Sequence, residues 1–292
     1  MLKAPQGWHI TPKPVLGSLA VAILFCLAYL YALNAYQVES QDLATLFQTG
    51  DENISSRVDL DARIISLDPL RGEARILLSL LPADSSGINL TCNRSLRLLF
   101  PGATLSSGPG EREFPANSFL NPMLLSYDLE GQASDYPFDK HGTILLFSLV
   151  FADSGAPVPS VLTVRGHIPG YHVDLEEVKC ISSGVRILNM TVSRSSTVVK
   201  AAVSGVVVMW AIGLAVLVLI ILMLRGWYDI HMPALFAALL FGLFSLRNSL
   251  PGTPPIGTYS DFLAFLWVQG IVAIALIVAL ADTARYKKDF RL

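Results

Sequence analysis

The sequence predicts a mixed α and β membrane protein, with four transmembrane helices and an extracytoplasmic antiparallel β-sandwich. Of its 292 residues, 52% are hydrophobic and 15% are charged, whereas soluble domains average about 45–50% apolar and about 25% charged residues. Mean hydropathy is +0.52. Long apolar segments occur near the N-terminus and in the last third of the chain, and the sequence between them alternates between apolar and polar residues.

Four apolar segments define the predicted organisation, because a bilayer core about 30 Å thick needs roughly 20 apolar helical residues. The predicted transmembrane helices comprise residues 15–36, 199–224, 233–250 and 262–281. We expect residues 15–36 to be a retained anchor rather than a cleaved signal peptide. This segment is longer than a signal h-region, and its outer end carries tyrosines that are typical of a membrane interface.

Basic residues at the predicted helix ends set the expected orientation. The N-terminal tail, Arg225 and the C-terminal tail are basic and fall on one side if all four segments span the membrane. Positive flanks favour the cytoplasmic side. We therefore expect cytoplasmic tails at residues 1–14 and 282–292, an extracytoplasmic domain at residues 37–198, and a location in the plasma membrane.

Alternating residues predict the strands of the outer domain. Residues 58–65 and 74–81 have the two-residue period of half-buried strands and are joined by a turn at Pro69–Gly72, which indicates a hairpin. Residues 41–48 carry the only competing helical pattern. Further strands are predicted at residues 96–100, 118–127, 143–151, 160–168 and 185–192. About seven short strands with turns between them are typical of a sandwich.

Cys92 and Cys180 both lie in the predicted outer domain, whereas Cys26 lies in the first apolar segment. An oxidising compartment would permit a Cys92–Cys180 disulfide, and the alternative is two separate buried thiols. Four asparagines in the same domain begin N-x-Ser/Thr sequences and are candidate glycosylation sites. They are Asn53, Asn89, Asn93 and Asn189.

The sequence offers no catalytic motif, phosphate-binding glycine loop or zinc motif. We therefore expect no catalytic residues, no metal site and no cofactor. His167 and His172 precede three acidic residues, but the turn at Pro169–Gly170 between the histidines favours a solvated strand end over a metal site. The formal net charge of -2 argues against nucleic acid as a partner.

Charged and amide residues near the last two apolar segments are candidate contacts. Arg247, followed by Asn248, and Asp261 flank a link rich in proline and glycine at residues 250–257. We expect Arg247 and Asp261 to pair with each other or to contact the outer domain; the alternative is two charges that extend separately to the interface. Gln269, an amide in a predicted membrane helix, is expected to bond another helix.

The Tyr136-Pro137-Phe138-Asp139 stretch is the candidate contact of the outer domain with the helices. Pro137 stiffens the turn, Phe138 offers apolar area for burial, and the Asp139 carboxylate needs a cation or backbone donors. Arg247 and Arg194 are both chemically suitable partners for Asp139. The alternative is a local turn in which Asp139 caps its own loop.

Residues 243–267, LFSLRNSLPGTPPIGTYSDFLAFLW, together with the Tyr136–Asp139 motif, resemble a family of uncharacterised membrane proteins that carries a domain of unknown function. That resemblance implies one span, an outer domain and three further spans, and it implies no activity. A weaker resemblance is to pentameric ligand-gated ion channels. It is carried by the same Tyr136–Asp139 motif, by Arg194 before a span, and by a proline-containing link between two later spans.

The expected function is that of a non-enzymatic integral membrane protein, a binding or accessory subunit whose outer domain is docked rigidly on the helices. The bilayer, other membrane or envelope proteins and further copies of the chain are the expected partners. An ion channel is one alternative, although the third apolar segment offers only Ser245 as a polar lining group before Arg247. An extracytoplasmic membrane-bound enzyme is a second alternative.

Overall fold

The computed structural model describes residue 30 and residues 45–50, 57–82, 92–105, 110–178, 185–226, 229–252 and 255–289. The chain divides into two compact units, Met1–Asp42 and Leu43–Leu292. The predicted anchor at residues 15–36, apart from the helical Leu30, and the tail at residues 1–14 lie outside the described residues. The architecture below is that of the second unit.

Short strands form the first half of this unit. In chain order they are β1 (Thr45–Thr49), β2 (Val58–Asp68), β3 (Glu73–Pro82), β4 (Leu96–Leu99), β5 (Ala103–Leu105), β6 (Glu111–Phe114), β7 (Met123–Asp128), β8 (Glu130–Gly131), β9 (Lys140–Phe151), β10 (Ser160–Arg165), β11 (Tyr171–Val178) and β12 (Val185–Arg194). One sheet has the order β1-β10-β2-β3-β7-β5, and the other has the order β11-β12-β9-β4-β6 with β8 beside β9. The predicted β-sandwich is confirmed in its layers and in its mostly antiparallel pairing.

The inner faces of both sheets build the core of the β domain. On β2 the residues Val58, Leu60, Ala62 and Ile64 are buried, while their neighbours face outward, as the alternation predicts. Phe147 of β9 meets Tyr127 of β7 edge to face, with ring centroids 6.4 Å apart. This contact joins the two sheets, because β7 and β9 belong to different layers.

Several local predictions differ from the structure. Residues 45–49 form β1 rather than a helix, because they pair with β10 at the sheet edge. β10 pairs with β2 in parallel, so the sandwich is not wholly antiparallel. Of the predicted strand at residues 118–127, only the part from Met123 onward is strand. The strands β5, β6 and β8 were not predicted because they are short, and the edge strand β11 was also not predicted.

Within the described residues after the β domain, there are three helices and one π-helical turn. They are α1 (Ser196–Leu224), α2 (Met232–Asn248), a π-helical turn (Asp261–Phe265) and α3 (Leu266–Asp289). The Ser195 hydroxyl accepts a bond from the Val198 amide and caps the start of α1. A Cβ placed at Gly213 of α1 would lie 3.1 Å from Val268, so glycine lets α1 and α3 approach closely.

Two of these helical segments, Ser196–Leu224 and Asp261–Arg285, are long and apolar enough to cross a membrane. α2 has 17 residues, a length of about 25 Å, which is short of a bilayer core of about 30 Å. The structure therefore supports two candidate spans among the described residues. The arrangement with four spans stays a prediction.

Candidate functional site

Tyr136 belongs to the β domain, but its side chain lies in the hydrophobic core formed by the helices. It follows a short 3₁₀ helix, Ala133–Asp135, and is joined to Pro137 by a cis peptide bond. Its side chain is fully buried in the same cluster as Ala202 of α1 and Leu250. Its hydroxyl donates a hydrogen bond of 2.7 Å to the Pro251 carbonyl in the link after α2. One residue of the β domain thus packs in the core of the helices and bonds the α2–α3 link.

Asp139 and Arg194 form a buried ion pair at the point where the β domain becomes helix. The antiparallel register of β12 and β9 pairs Ser193 with Lys140, which brings the neighbouring Arg194 beside Asp139. The Nε of Arg194 donates to both carboxylate oxygens at 3.0 Å. The side chains are 4% and 0% exposed. If one partner is removed, the charge of the other therefore stays buried away from water.

His141 is a third member of this buried cluster, and the sequence analysis did not single it out. Its Nε2 lies 3.2 Å from Oδ2 of Asp139, and the residue is 2% exposed. Its Nδ1 has no hydrogen-bond partner within the described part of the chain and lies against Gly131, where a Cβ would collide with it. A histidine two residues after Asp139, at the second position of β9, was the available signal.

Aromatic rings and a glycine enclose the Arg194 guanidinium. Its Cζ lies 5.3 Å from the ring centroid of Tyr136 and 4.8 Å from that of Tyr171, within the range of cation–π attraction. A Cβ placed at Gly252 would lie 2.5 Å from Nη1. Arg194 therefore contacts the β domain on one side and the α2–α3 link on the other.

Arg247 and Asp261 form a second buried ion pair that closes the α2–α3 link. Nε and Nη2 of Arg247 donate to the two carboxylate oxygens at 2.9 and 2.8 Å, which is the two-bond geometry that favours arginine. Nη2 also donates to the Pro255 carbonyl at 2.6 Å. Asp261 accepts bonds from the Gly257 and Thr258 amides. The link is thus folded around one carboxylate.

The structure therefore shows which of the two candidate arginines pairs with Asp139. Asp139 pairs with Arg194, and Arg247 pairs with Asp261. Phe138 is 56% exposed, so its ring does not add burial to the contact. Asn248 is exposed, with Oδ1 3.5 Å from Nη1 of Arg247.

The other candidate residues lie apart from this site. Cys92 is a free thiol, and Cys180 lies outside the described residues, so the disulfide prediction is not supported. Asn93 and Asn189 are exposed, while Asn53 and Asn89 lie outside the described residues.

The histidine and acidic residues around His172, which the sequence analysis considered as a metal site, are exposed to solvent. His172 and Asp174 are 3.2 Å apart on β11, with about two-thirds of each side chain exposed. Within the described ranges there is no group of three histidine, cysteine or acidic residues placed to hold a metal ion.

Two family models match adjoining parts of the chain. Domain of unknown function (DUF4436) matches residues 48–188, and Domain of unknown function (DUF8686) matches residues 194–286. The chain is similar to two domains of unknown function. This is consistent with an uncharacterised family, and the likeness to ligand-gated channels is not shown by these matches. Among curated proteins, none matches the chain.

The boundary between the two matched regions falls at the candidate site. Tyr136, Asp139 and His141 lie in the first region, whereas Arg194, Arg247 and Asp261 lie in the second. The Arg194–Asp139 ion pair and the bond from Tyr136 to Pro251 therefore connect one matched region to the other. We call these two contacts, together with the Arg247–Asp261 pair that folds the α2–α3 link, the coupling site.

The substitution Tyr136→Phe is expected to lower the free energy of unfolding by about 1 kcal/mol, because it removes one hydrogen bond and leaves the Pro251 carbonyl without its donor. Thermal unfolding of the full chain in detergent measures the change. Tyr259→Phe is the control, since Tyr259 is 53% exposed, and it should have no measurable effect. Equal effects of the two substitutions would contradict the assigned role of the Tyr136 hydroxyl.

Stability should also fall at alkaline pH. Burial raises the pKa of Tyr136 to about 12 from its usual value of 10.0. The folded state disfavours the phenolate, so this contribution to stability is present below pH 10 and is lost as pH rises toward the folded value. The free energy of unfolding should decline more steeply above pH 10 in the wild-type protein than in Tyr136→Phe. Parallel curves for the two proteins would contradict this expectation.

Proposed function

We propose that the protein is a non-enzymatic integral membrane protein, in which an extracytoplasmic β domain binds a partner or an envelope component and is coupled rigidly to the membrane helices. The coupling site carries this proposal. Its ion pairs and the Tyr136 contact are buried rather than solvated. The Tyr136 bond to Pro251 and the close approach of Arg194 to Gly252 join the β domain to the α2–α3 link. The buried Asp139–Arg194 pair, which is costly to separate, holds Arg194 in that position, so the β domain and the helices move together.

The chemistry of the site supports coupling rather than catalysis. Each buried charge in the pairs Asp139–Arg194 and Arg247–Asp261 is neutralised by its partner, and the imidazole of His141 beside Asp139 is 2% exposed, so these groups are shielded from solutes. The contact of Tyr136 with Pro251 places the outer domain on the link between α2 and α3. Binding outside can therefore change the strain on that link, and movement of the helices can change the outer surface.

Membrane topology is the first test of the proposal. The full chain in sealed vesicles carries Glu130→Cys, at an exposed position on β8, and a tag at each terminus. A membrane-impermeant maleimide should label position 130 from outside beyond the wild-type background, and both tags should become accessible only after permeabilisation. Labelling of position 130 from the tag-bearing side, or tags on opposite sides, would overturn the proposal.

An ion channel is the second candidate, because Arg194 precedes α1 and a proline-containing link follows α2, as the resemblance to pentameric ligand-gated channels implies. Tyr136 of the shared motif bonds that link. Against it, α2 offers few polar groups for a conducting lining. Ion flux into liposomes containing the purified full chain separates the two candidates. We expect no flux above that of protein-free liposomes; flux that Ser245→Leu alters would favour the channel.

A further inference from the structure

Exposed charges on α1 mark the stretch of this helix that fits a bilayer core. Lys200 and Arg225 are exposed, and the large exposed side chains between them, from Val203 to Leu224, are apolar or aromatic. The two charges are about 37 Å apart along the helix axis, compared with about 30 Å for the hydrocarbon core. Charged groups inside hydrocarbon are costly, so the outer edge of the core lies within about two turns of Lys200.

The α2–α3 link lies at the same level as this outer edge. A Cβ placed at Gly205 of α1 would lie 2.6 Å from the Leu250 side chain, so the start of the link packs beside that turn of α1. The Tyr136 hydroxyl bonds Pro251, the next residue of the link. The headgroup layer extends about 5–8 Å beyond the core on each side. The end of the β domain that carries Tyr136 therefore reaches this layer.

An exposed apolar surface continues from α3 outward over the α2–α3 link. Its side chains, each more than half exposed, are Trp267, Phe262, Tyr259 and Ile256. The first two belong to the candidate span Asp261–Arg285, and the last two extend the surface toward the β domain. The indole N–H of Trp267 donates to the Phe262 carbonyl at 2.8 Å, so this ring needs no partner from solvent. Aromatic residues at a helix end are typical of a membrane interface.

Phe138 adds a side chain of the β domain at this level. Its ring is 56% exposed, and it lies two residues after Tyr136, which is bonded to the link. The contacts of the coupling site do not use this ring. In water its apolar area would stay hydrated, whereas the boundary between headgroups and acyl chains covers such area. The continuity of the apolar surface with a candidate span identifies lipid as the occupant.

We propose that the exposed side chains of Phe138, Ile256, Tyr259 and Phe262, which we call the interfacial patch, bind phospholipid of the outer leaflet. The inference rests on the proposed function, because a leaflet surrounds this level only if the helices span a bilayer. Phospholipid then contacts the β domain through Phe138 and the α2–α3 link through Ile256. The lipid is thus a further component of the contact between the β domain and the helices.

Photo-crosslinking of the full chain in liposomes of phosphatidylcholine tests the inference. A benzophenone amino acid, which is aromatic like phenylalanine, replaces Phe138. Because position 138 faces the headgroup boundary in the proposed arrangement, irradiation should attach phosphatidylcholine to the peptide that carries it. Mass spectrometry of the peptides identifies the adduct.

Phe119 provides the matched control, because it is also an exposed phenylalanine of the β domain. Phe114, shortly before it, pairs with Leu96, and Leu96 pairs with Phe151. Phe151 is the last residue of β9, whereas Asp139 directly precedes the first, and the 12 residues of this strand extend over about 40 Å. Position 119 therefore lies at the far end of the domain, and the same amino acid there should give no lipid adduct above the unirradiated background.

Ile256 carries the benzophenone amino acid in a second variant, since a change at Phe138 could disturb the neighbouring Asp139. We expect phosphatidylcholine adducts at this position too. The inference would be overturned by the absence of lipid adducts at position 138 or 256 in a variant that unfolds at the wild-type temperature. Equal lipid labelling of positions 119 and 138 would also overturn it.

Alkaline carbonate extraction of native membranes that contain the same variants separates this inference from the proposed function. A chain that carbonate releases contradicts the proposed function, because a protein with spanning helices resists extraction. A chain that resists carbonate but gives no lipid adduct at position 138 contradicts only the binding of phospholipid by the interfacial patch.

Discussion

Arg194→Gln is expected to lower the free energy of unfolding by about 3–5 kcal/mol, because it leaves the Asp139 carboxylate buried without a cation. The remaining partner, His141 at 3.2 Å, supplies one hydrogen bond. The substitution also removes the guanidinium from between the rings of Tyr136 and Tyr171. Thermal and denaturant unfolding of the full chain in detergent measure the loss.

A surface pair of the same residue types provides the control. Arg94 and Asp153 are 2.7 Å apart, but their side chains are 50% and 57% exposed. Exposed pairs contribute about 0–1 kcal/mol, so Arg94→Gln should cost far less than Arg194→Gln. Comparable losses from the two substitutions would show that burial does not determine the strength of the Arg194–Asp139 pair.

A double-mutant cycle with Asp139→Asn distinguishes a direct pair from two independent contributions. We expect the double variant to be less destabilised than the sum of the single variants, by about 2 kcal/mol, because removing both charges leaves no unpaired one. A second cycle that combines Asp139→Asn with Arg94→Gln should be additive within about 0.5 kcal/mol. Additivity in both cycles would rule out direct coupling of Asp139 to Arg194.

Strand alternation made much of the β domain predictable. β2 and β3 have the clear two-residue period of strands with one buried face, and the structure confirms the hairpin. β11 was not predicted, although Tyr171, Val173 and Leu175 alternate with exposed polar residues and pack against the core. Its pairing with β12 places it at the sheet edge. The parallel pairing of β2 with β10 depends on contacts about 100 residues apart, which local patterns do not encode.

The residue types of the coupling site were predictable, but their pairing was not. Asp139 had two suitable cations, Arg194 and Arg247, and local sequence patterns do not distinguish them. The register of β12 against β9 selects Arg194, and the fold of the α2–α3 link around Asp261 occupies Arg247. A register is a property of the assembled sheet, and a one-residue slip would move Arg194 to the other face.

Arg247→Gln is expected to lower the free energy of unfolding by about 3–5 kcal/mol as well, but with a different local consequence. Arg247 is 3% exposed at its side chain and bonds both Asp261 and the Pro255 carbonyl. Its loss leaves a buried carboxylate and an unpaired carbonyl. The amides of Gly257 and Thr258, which donate to Asp261, should then exchange hydrogen faster as the link loosens. Asp261→Asn should cost less, because an amide oxygen can still accept from those two donors.

Arg225→Gln is the control for the Arg247 prediction. Arg225 is exposed at the far end of α1, and its loss should change the free energy of unfolding by less than about 0.5 kcal/mol.

Hydrogen exchange followed by mass spectrometry on the full chain reports the link and the β domain separately. If the link transmits force to the β domain, Arg247→Gln should also increase exchange around the Tyr136–Pro251 contact. Faster exchange in the link with unchanged exchange at Tyr136 would mean that the Arg247–Asp261 pair only closes its own loop, and the coupling site would then consist of Tyr136, Asp139 and Arg194 alone.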